Sequence, residues 1–139
     1  MAEYFSNYCS KFTCPVPSSL SDVVENVIVP KAGQGLPSTG TGSRLPGTIA
    51  QLHSIYITQE VSNRYSDPTT RIAYINLKVK DGSSSYYVAH NVMVLPHSAF
   101  YIEKTITLLA QQQLILEFTT LNTAGCNLDV VVSGVDISS

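Results

Sequence analysis

Charge is the scarcest ingredient of this chain. Of its 139 residues, 8 are Lys or Arg and 10 are Asp or Glu, so 13% are charged, against a usual share of roughly 25%. The formal net charge is −2. A nucleic-acid binder needs a focused positive patch, and here the basic residues are scattered from Lys11 to Lys104. Only Lys78 and Lys80 share a strand face, where they read as two lysines solvating an exposed surface. A freely diffusing enzyme ordinarily keeps more charge for solubility. So little charge suits a protein packed against other subunits.

Long apolar runs are also missing. None approaches the ~18 residues of a membrane span. Met1-Ala2-Glu3-Tyr4-Phe5 lacks the basic and apolar regions of a secretory leader, so the chain is expected to stay in a cytoplasm until assembly. Cysteine is sparse and odd in number: Cys9, Cys14 and Cys126. An odd count without a leader argues against a disulfide framework. Cys9 and Cys14 have the wrong spacing for a two-residue zinc knuckle. Three inert thiols are the expectation, with a disulfide between two of them, formed after release from a cell, as the alternative.

What the chain does have is alternation. Leu128, Val130 and Val132 point one way while Asp129, Val131 and Ser133 point the other, the period of two of a half-buried strand. Ala73, Ile75, Leu77 and Val79 alternate in the same way with Tyr74, Asn76, Lys78 and Lys80. Asp81-Gly82 then signals a hairpin turn, and Ser85 to Ala89 returns from it. His53 to Thr58 is a first strand, with Ile55 and Ile57 inward. Further strands are expected over Asn91–Pro96, Ala99–Lys104, Thr105–Leu109 and Leu114–Leu121, with a turn at Asn122–Gly125 before the last strand. Seven or eight short strands at this spacing predict an all-β, antiparallel β-sandwich of jelly-roll or Ig-like type over residues 48–139.

Residues 1–47 read differently. Tyr4, Phe5, Tyr8 and Phe12 lend aromatic stickiness, and Pro15 and Pro17 break regular structure. Asp22 and Glu25 have capping-box spacing for one short helix, whereas Val27-Ile28-Val29 looks more like a strand. Residues 30–47 hold three prolines, five glycines and several hydroxyl side chains, a composition that builds no core of its own. They predict an extended arm spanning roughly 60 Å at ~3.3 Å per residue. No Gly-Lys-Ser/Thr makes it a phosphate loop.

No catalytic, cofactor or metal set emerges. Nothing in the sequence gathers His53, His90 and His97. Glu103 and Glu117 fall in neighbouring expected strands, but so small a body hardly offers the cleft that paired carboxylates need. Ser98 and Ser133-Gly134 lack a nucleophile elbow. Tyr86 and Tyr87 point to opposite faces, so one is expected in the core and one on the surface. Aromatic rows also allow a carbohydrate-binding surface. The chain is expected not to be an enzyme.

The run from Tyr86 to Ile137 resembles a group of small tailed-bacteriophage virion proteins. The resemblance is carried by Val92-Met93-Val94-Leu95-Pro96, Ser98-Ala99-Phe100, Ile106-Thr107-Leu108, Leu114-Ile115-Leu116 and Leu128-Asp129-Val130-Val131-Val132-Ser133, with Ile55-Tyr56-Ile57-Thr58 upstream. It departs at Gln111-Gln112-Gln113, where the family often has Gly-Asp. The resemblance implies a structural subunit of a phage particle, assembled in the host cytoplasm against other virion subunits and copies of itself. A head decoration (cement) protein leads, with a neck, collar or tail-associated protein as the alternative. A carbohydrate-binding module for host-surface recognition is the rival from another class. The expected contact residues are Leu36, Arg44 and Leu45 in the arm, and Tyr4, Phe5, Tyr8 and Phe12 ahead of it. The arm would clamp a neighbour by adding a strand to its free edge.

Overall fold

Alternation translates directly into burial. In the computed structural model, which describes residues 2–14, 25–37, 40–60, 72–96, 98–119 and 126–138, Leu128, Val130, Val132, Ile55, Ile57, Ala73, Ile75 and Leu77 are all 1% exposed or less. Ten strands hold these residues: β1 (Ala2–Cys14), β2 (Glu25–Val29), β3 (Gly40–Thr41), β4 (Ile49–Glu60), β5 (Ala73–Asp81), β6 (Ser84–Val94), β7 (Ala99–Ile102), β8 (Ile106–Leu108), β9 (Gln112–Phe118) and β10 (Cys126–Ser138). No helix occurs among the described residues. Asp22 of the expected helix start lies outside them, as do Pro15, Pro17, His97 and the turn at 122–125, while Glu25 opens β2.

The strands form two antiparallel sheets. One runs β3-β1-β10-β4-β7, with β8 also pairing β4, and the other runs β2-β9-β5-β6. Both contribute to one core. Tyr8, Phe12, Leu52 and Leu108 from the first sheet join Ile28, Val29, Leu114, Leu116 and Phe118 from the second. This is the sandwich-like arrangement that alternating strands predict.

The division at residue 47 is corrected. Residues 2–14 are not an appended segment: β1 pairs with β10 without a register shift from Ala2↔Ser138 to Cys14↔Cys126. Residues 25–29 form an edge of the second sheet against β9. The described part of the Pro/Gly-rich stretch, residues 30–37 and 40–47, is not extended either. It folds back on itself, with Arg44 N–H donating to the Gln34 carbonyl at 2.9 Å, Gly33 N–H to the Arg44 carbonyl at 2.9 Å and Leu36 N–H to the Gly42 carbonyl at 2.9 Å. Composition hid this because the segment builds no core of its own and instead seals the end of a core built elsewhere.

Local chemistry sets the turns. Gly82 has φ +60°, the left-handed geometry that the Asp81-Gly82 hairpin requires. Asn91–Pro96 is no separate strand; β6 runs on to Val94, through shifts in its pairing with β5 and a left-handed Asn91 at φ 51°. The Asn91 N–H is held by the Asn76 side-chain oxygen at 2.7 Å. Gln112 does the work expected of a glycine turn: its side-chain oxygen accepts from Leu109 N–H at 2.9 Å, and its own N–H donates to the Leu109 carbonyl at 3.0 Å. On β10 the register against β4 shifts between Ser133 and Gly134. A Cβ at position 134 would run into the Gln51 carbonyl oxygen, so only glycine lets the two backbones approach there.

Candidate assembly surface

The direct register between β1, β10, β4 and β7 lays side chains in rows across the outer face of the larger sheet. One row is Cys9, Val131, Tyr56 and Tyr101. A second is Phe5, Val135 and Gln51, with Glu3, Ile137 and Ile49 forming the row beside it. Phe5 is 97% exposed, close to the limit for any side chain in a sheet. Tyr101, Val131, Ile49 and Tyr56 are exposed as well. Charge on the β1–β10 part of this face amounts to Glu3 and the Lys11–Asp129 ion pair at 2.8 Å. The Tyr56 and Tyr101 rings stack with centroids 5.9 Å apart. Tyr56 donates its hydroxyl to Glu103 Oε1 at 2.6 Å, and that hydrogen bond holds the phenol above its usual pKa. Tyr101 and Glu103 also border an apolar groove of about 590 Å³ between β6 and the β7–β8 connection, lined by Val88, Val92, Phe100 and Ile106.

The expected contact residues divide. Phe5 is exposed, as are Tyr4 at 48% and Leu45 at 41%, while Leu36 is half-buried against the core. Tyr8, Phe12 and Arg44 are corrected: at 1%, 8% and 2% exposure they are interior residues. Alternation on β1 explains the two aromatics, since Tyr8, Ser10 and Phe12 form its inward row and Asn7, Cys9, Lys11 and Thr13 its outward row. That pattern was present in the sequence but masked by the prolines that follow it.

Arg44 is buried because backbone carbonyls receive its guanidinium. It donates to the carbonyls of Pro30 at 2.9 Å, Gln112 at 2.8 Å, Thr48 at 2.9 Å, Leu109 at 3.2 Å and Leu108 at 3.4 Å. Those oxygens belong to the ends of β2, β4, β8 and β9, so one side chain ties both sheets at one end of the sandwich. Burial pulls its pKa down, and the nearby Tyr8 and Asp136 oppose that. Buried Asp136 accepts from the Tyr8 hydroxyl at 3.3 Å and the Leu45 N–H at 3.4 Å. Burial pushes the Tyr8 phenol up to about 12.

A second polar network corrects the reading of β5. Asn76 and Lys78 are buried at 5% and 7% rather than solvated. Lys78 Nζ donates to Glu117 Oε2 at 2.6 Å and Glu25 Oε1 at 2.7 Å, Lys80 Nζ to Glu25 Oε2 at 2.9 Å, and Asn76 Nδ2 to Glu117 Oε1 at 2.9 Å. Burial alone would lower the Lys78 pKa, but the hydrogen bonds to Glu117 and Glu25 outweigh it and raise it. The hydrogen bonds from Lys78 and Lys80 hold the Glu25 carboxyl below its usual value. The depressed Glu25 therefore contributes stability above its unfolded pKa of 4.5 and loses it as pH falls through the folded value; raised Lys78 contributes below 10.5 and loses it as pH rises through its folded value. Lys78→Met leaves the buried Glu117 carboxylate without its cation and is expected to cost about 3 kcal/mol. Lys78→Met with Glu117→Gln, which removes the charge and keeps an oxygen for the buried Asn76 amide, should recover most of that loss in urea unfolding at pH 7. A double variant no more stable than the single one would show that the pair is not the source.

The remaining candidates do not converge. Glu103 meets Tyr56 on the first sheet, whereas Glu117 is engaged by Lys78 and Asn76 in the second. His53 and His90 are exposed, and His90 packs on Tyr87 with ring centroids 4.7 Å apart. Both Tyr86 and Tyr87 are exposed, at 62% and 57%, because β6 is an edge strand. Among the described residues no group of three His, Cys, Asp or Glu side chains could hold a metal ion, and no helix is long and apolar enough to cross a membrane. No protein-family model matches the chain, and no curated protein matches it.

Proposed function

We propose that this chain is a non-enzymatic structural subunit of a bacteriophage particle, with head decoration (cement) as the leading role and a neck, collar or tail position as the alternative. The supporting observation is the outer face of the larger sheet. It combines a nearly fully exposed Phe5 with Val131, Tyr56, Tyr101 and Ile49, and it carries little charge. Exposed apolar patches of this kind mark surfaces that meet a partner. Aromatic residues are enriched in interface cores, where charge is depleted. The resemblance of residues 86–137 to phage virion proteins supplies the setting. The partners are other virion subunits and copies of the chain itself, with no nucleic acid or membrane involved.

The test is recovery. Particles banded from lysates of the source culture are analysed by mass spectrometry, and the chain should appear at a fixed ratio to the major capsid protein. An image of those particles labelled with antibody against the chain then assigns head, neck or tail. Banded particles free of the chain would sink the proposal.

A carbohydrate-binding role is a second reading, favoured by the Tyr56–Tyr101 stack beside Glu103 at the rim of the groove. Sugar rings pack on aromatic faces and their hydroxyls pair with carboxylates. A glycan array probed with the full chain and with Tyr101→Ala tests it. Binding that the substitution abolishes favours this reading, and an array without signal removes it.

A further inference from the structure

β1 pairs with β10 along its whole length. The register runs unshifted to its far end, where Cys14 is the direct cross-strand partner of Cys126. Directly opposed residues of an antiparallel pair have Cα atoms roughly 4.5–5.5 Å apart, within the ~4.4–6.8 Å that a disulfide spans. Cys9 is placed differently. It is exposed, its cross-strand partner is Val131, and its position belongs to the outward row with Asn7 and Lys11. The backbone thus sorts three cysteines into one opposed pair and one apart.

We propose that Cys14 and Cys126 form a cross-strand disulfide when the chain meets a disulfide oxidant, while Cys9 remains a thiol. With oxidised glutathione the exchange balances. One protein thiolate attacks the glutathione disulfide, forms a mixed disulfide and expels a glutathione thiolate. The second protein thiolate attacks the protein sulfur of that mixed disulfide and expels the other. Two protein thiols are oxidised, one glutathione disulfide is reduced to two thiols, and the two protons pass to the departing thiolates. In a reducing cytoplasm the pair stays open. Outside it, the bond closes the end of β1–β10 remote from Ala2 and Ser138. A subunit that locks only after release from the cell is a consequence that rests on the assembly reading; the bond itself does not.

The test equilibrates the full chain with oxidised glutathione, blocks remaining thiols with iodoacetamide, and compares intact mass and peptide map with a reduced control. Oxidised chain is expected to take up one alkyl group where reduced chain takes up three, and to yield a linked peptide pair containing Cys14 and Cys126. Cys9→Ser should still form the link. Cys14→Ser and Cys126→Ser should each lose it, leaving the surviving partner open to alkylation. Oxidised wild type should also unfold at higher urea than reduced wild type. Three alkylated cysteines after equilibration, or a bridge that includes Cys9, overturns the assignment. Neither result bears on recovery of the chain from particles, so the two proposals fail independently.

Discussion

A chain lacking residues 1–47 is expected not to fold. The deletion removes β1, β2 and β3, and with the first two Tyr8, Phe12, Ile28 and Val29 from the common core. At about 1.5–3 kcal/mol for each large apolar side chain, four of them account for roughly 6–12 kcal/mol. Domains of this size are stable by only about 5–15 kcal/mol. β10 would also change from an inner strand to an edge, exposing a row of unpaired backbone groups to aggregation. Circular dichroism and size exclusion of the truncated chain should show an unfolded or aggregated product. A monomer with a cooperative thermal transition would mean that the first 47 residues are dispensable after all. The outcome separates two pictures that composition leaves open: an arm that reaches for a neighbour, and strands that complete the body.

Arg44→Ala is expected to be the most damaging single substitution, at roughly 5 kcal/mol. Five carbonyl oxygens now receive the guanidinium. Each hydrogen bond is worth about 1 kcal/mol net, and a buried acceptor left unpaired costs more than the bond contributed. Arg44→Lys should recover little, because an ammonium has three donors on one point and cannot fan out to five oxygens from several strands. Urea unfolding should show both variants shifted to lower midpoints, with alanine the lower. A midpoint within about 0.5 kcal/mol of wild type, the range of an ordinary surface substitution, would show that solvent can replace the arginine at that end of the sandwich.

Rows such as Ala73-Ile75-Leu77 and Leu128-Val130-Val132 announce themselves, because a strand buried on one face repeats every two residues whatever packs against it. Asp81-Gly82 is legible because a left-handed turn selects for glycine. Arg44 is different. Its partners are main-chain oxygens, and a carbonyl leaves no mark in a sequence. Lys78 reads as solvated because it alternates with apolar neighbours, but its environment is decided by Glu117 and Glu25 on two other strands. Edge strands blur the rule from the opposite side: Tyr86 and Tyr87 occupy opposite rows, yet both are exposed, since little packs beyond β6. Of the contact residues, Phe5 was legible as an aromatic near the start, but its exposure follows only from the β1–β10 register.

Ala2 and Ser138 are cross-strand partners. The polypeptide therefore enters and leaves the sandwich at a single corner. A linker of a few residues would span that gap, so a circularly permuted chain with its ends joined there keeps every strand pairing intact. For the same reason, a tag or fusion partner on either end departs from the corner near which Arg44 gathers the strand termini, and leaves the opposite end, where position 14 pairs with position 126, unobstructed.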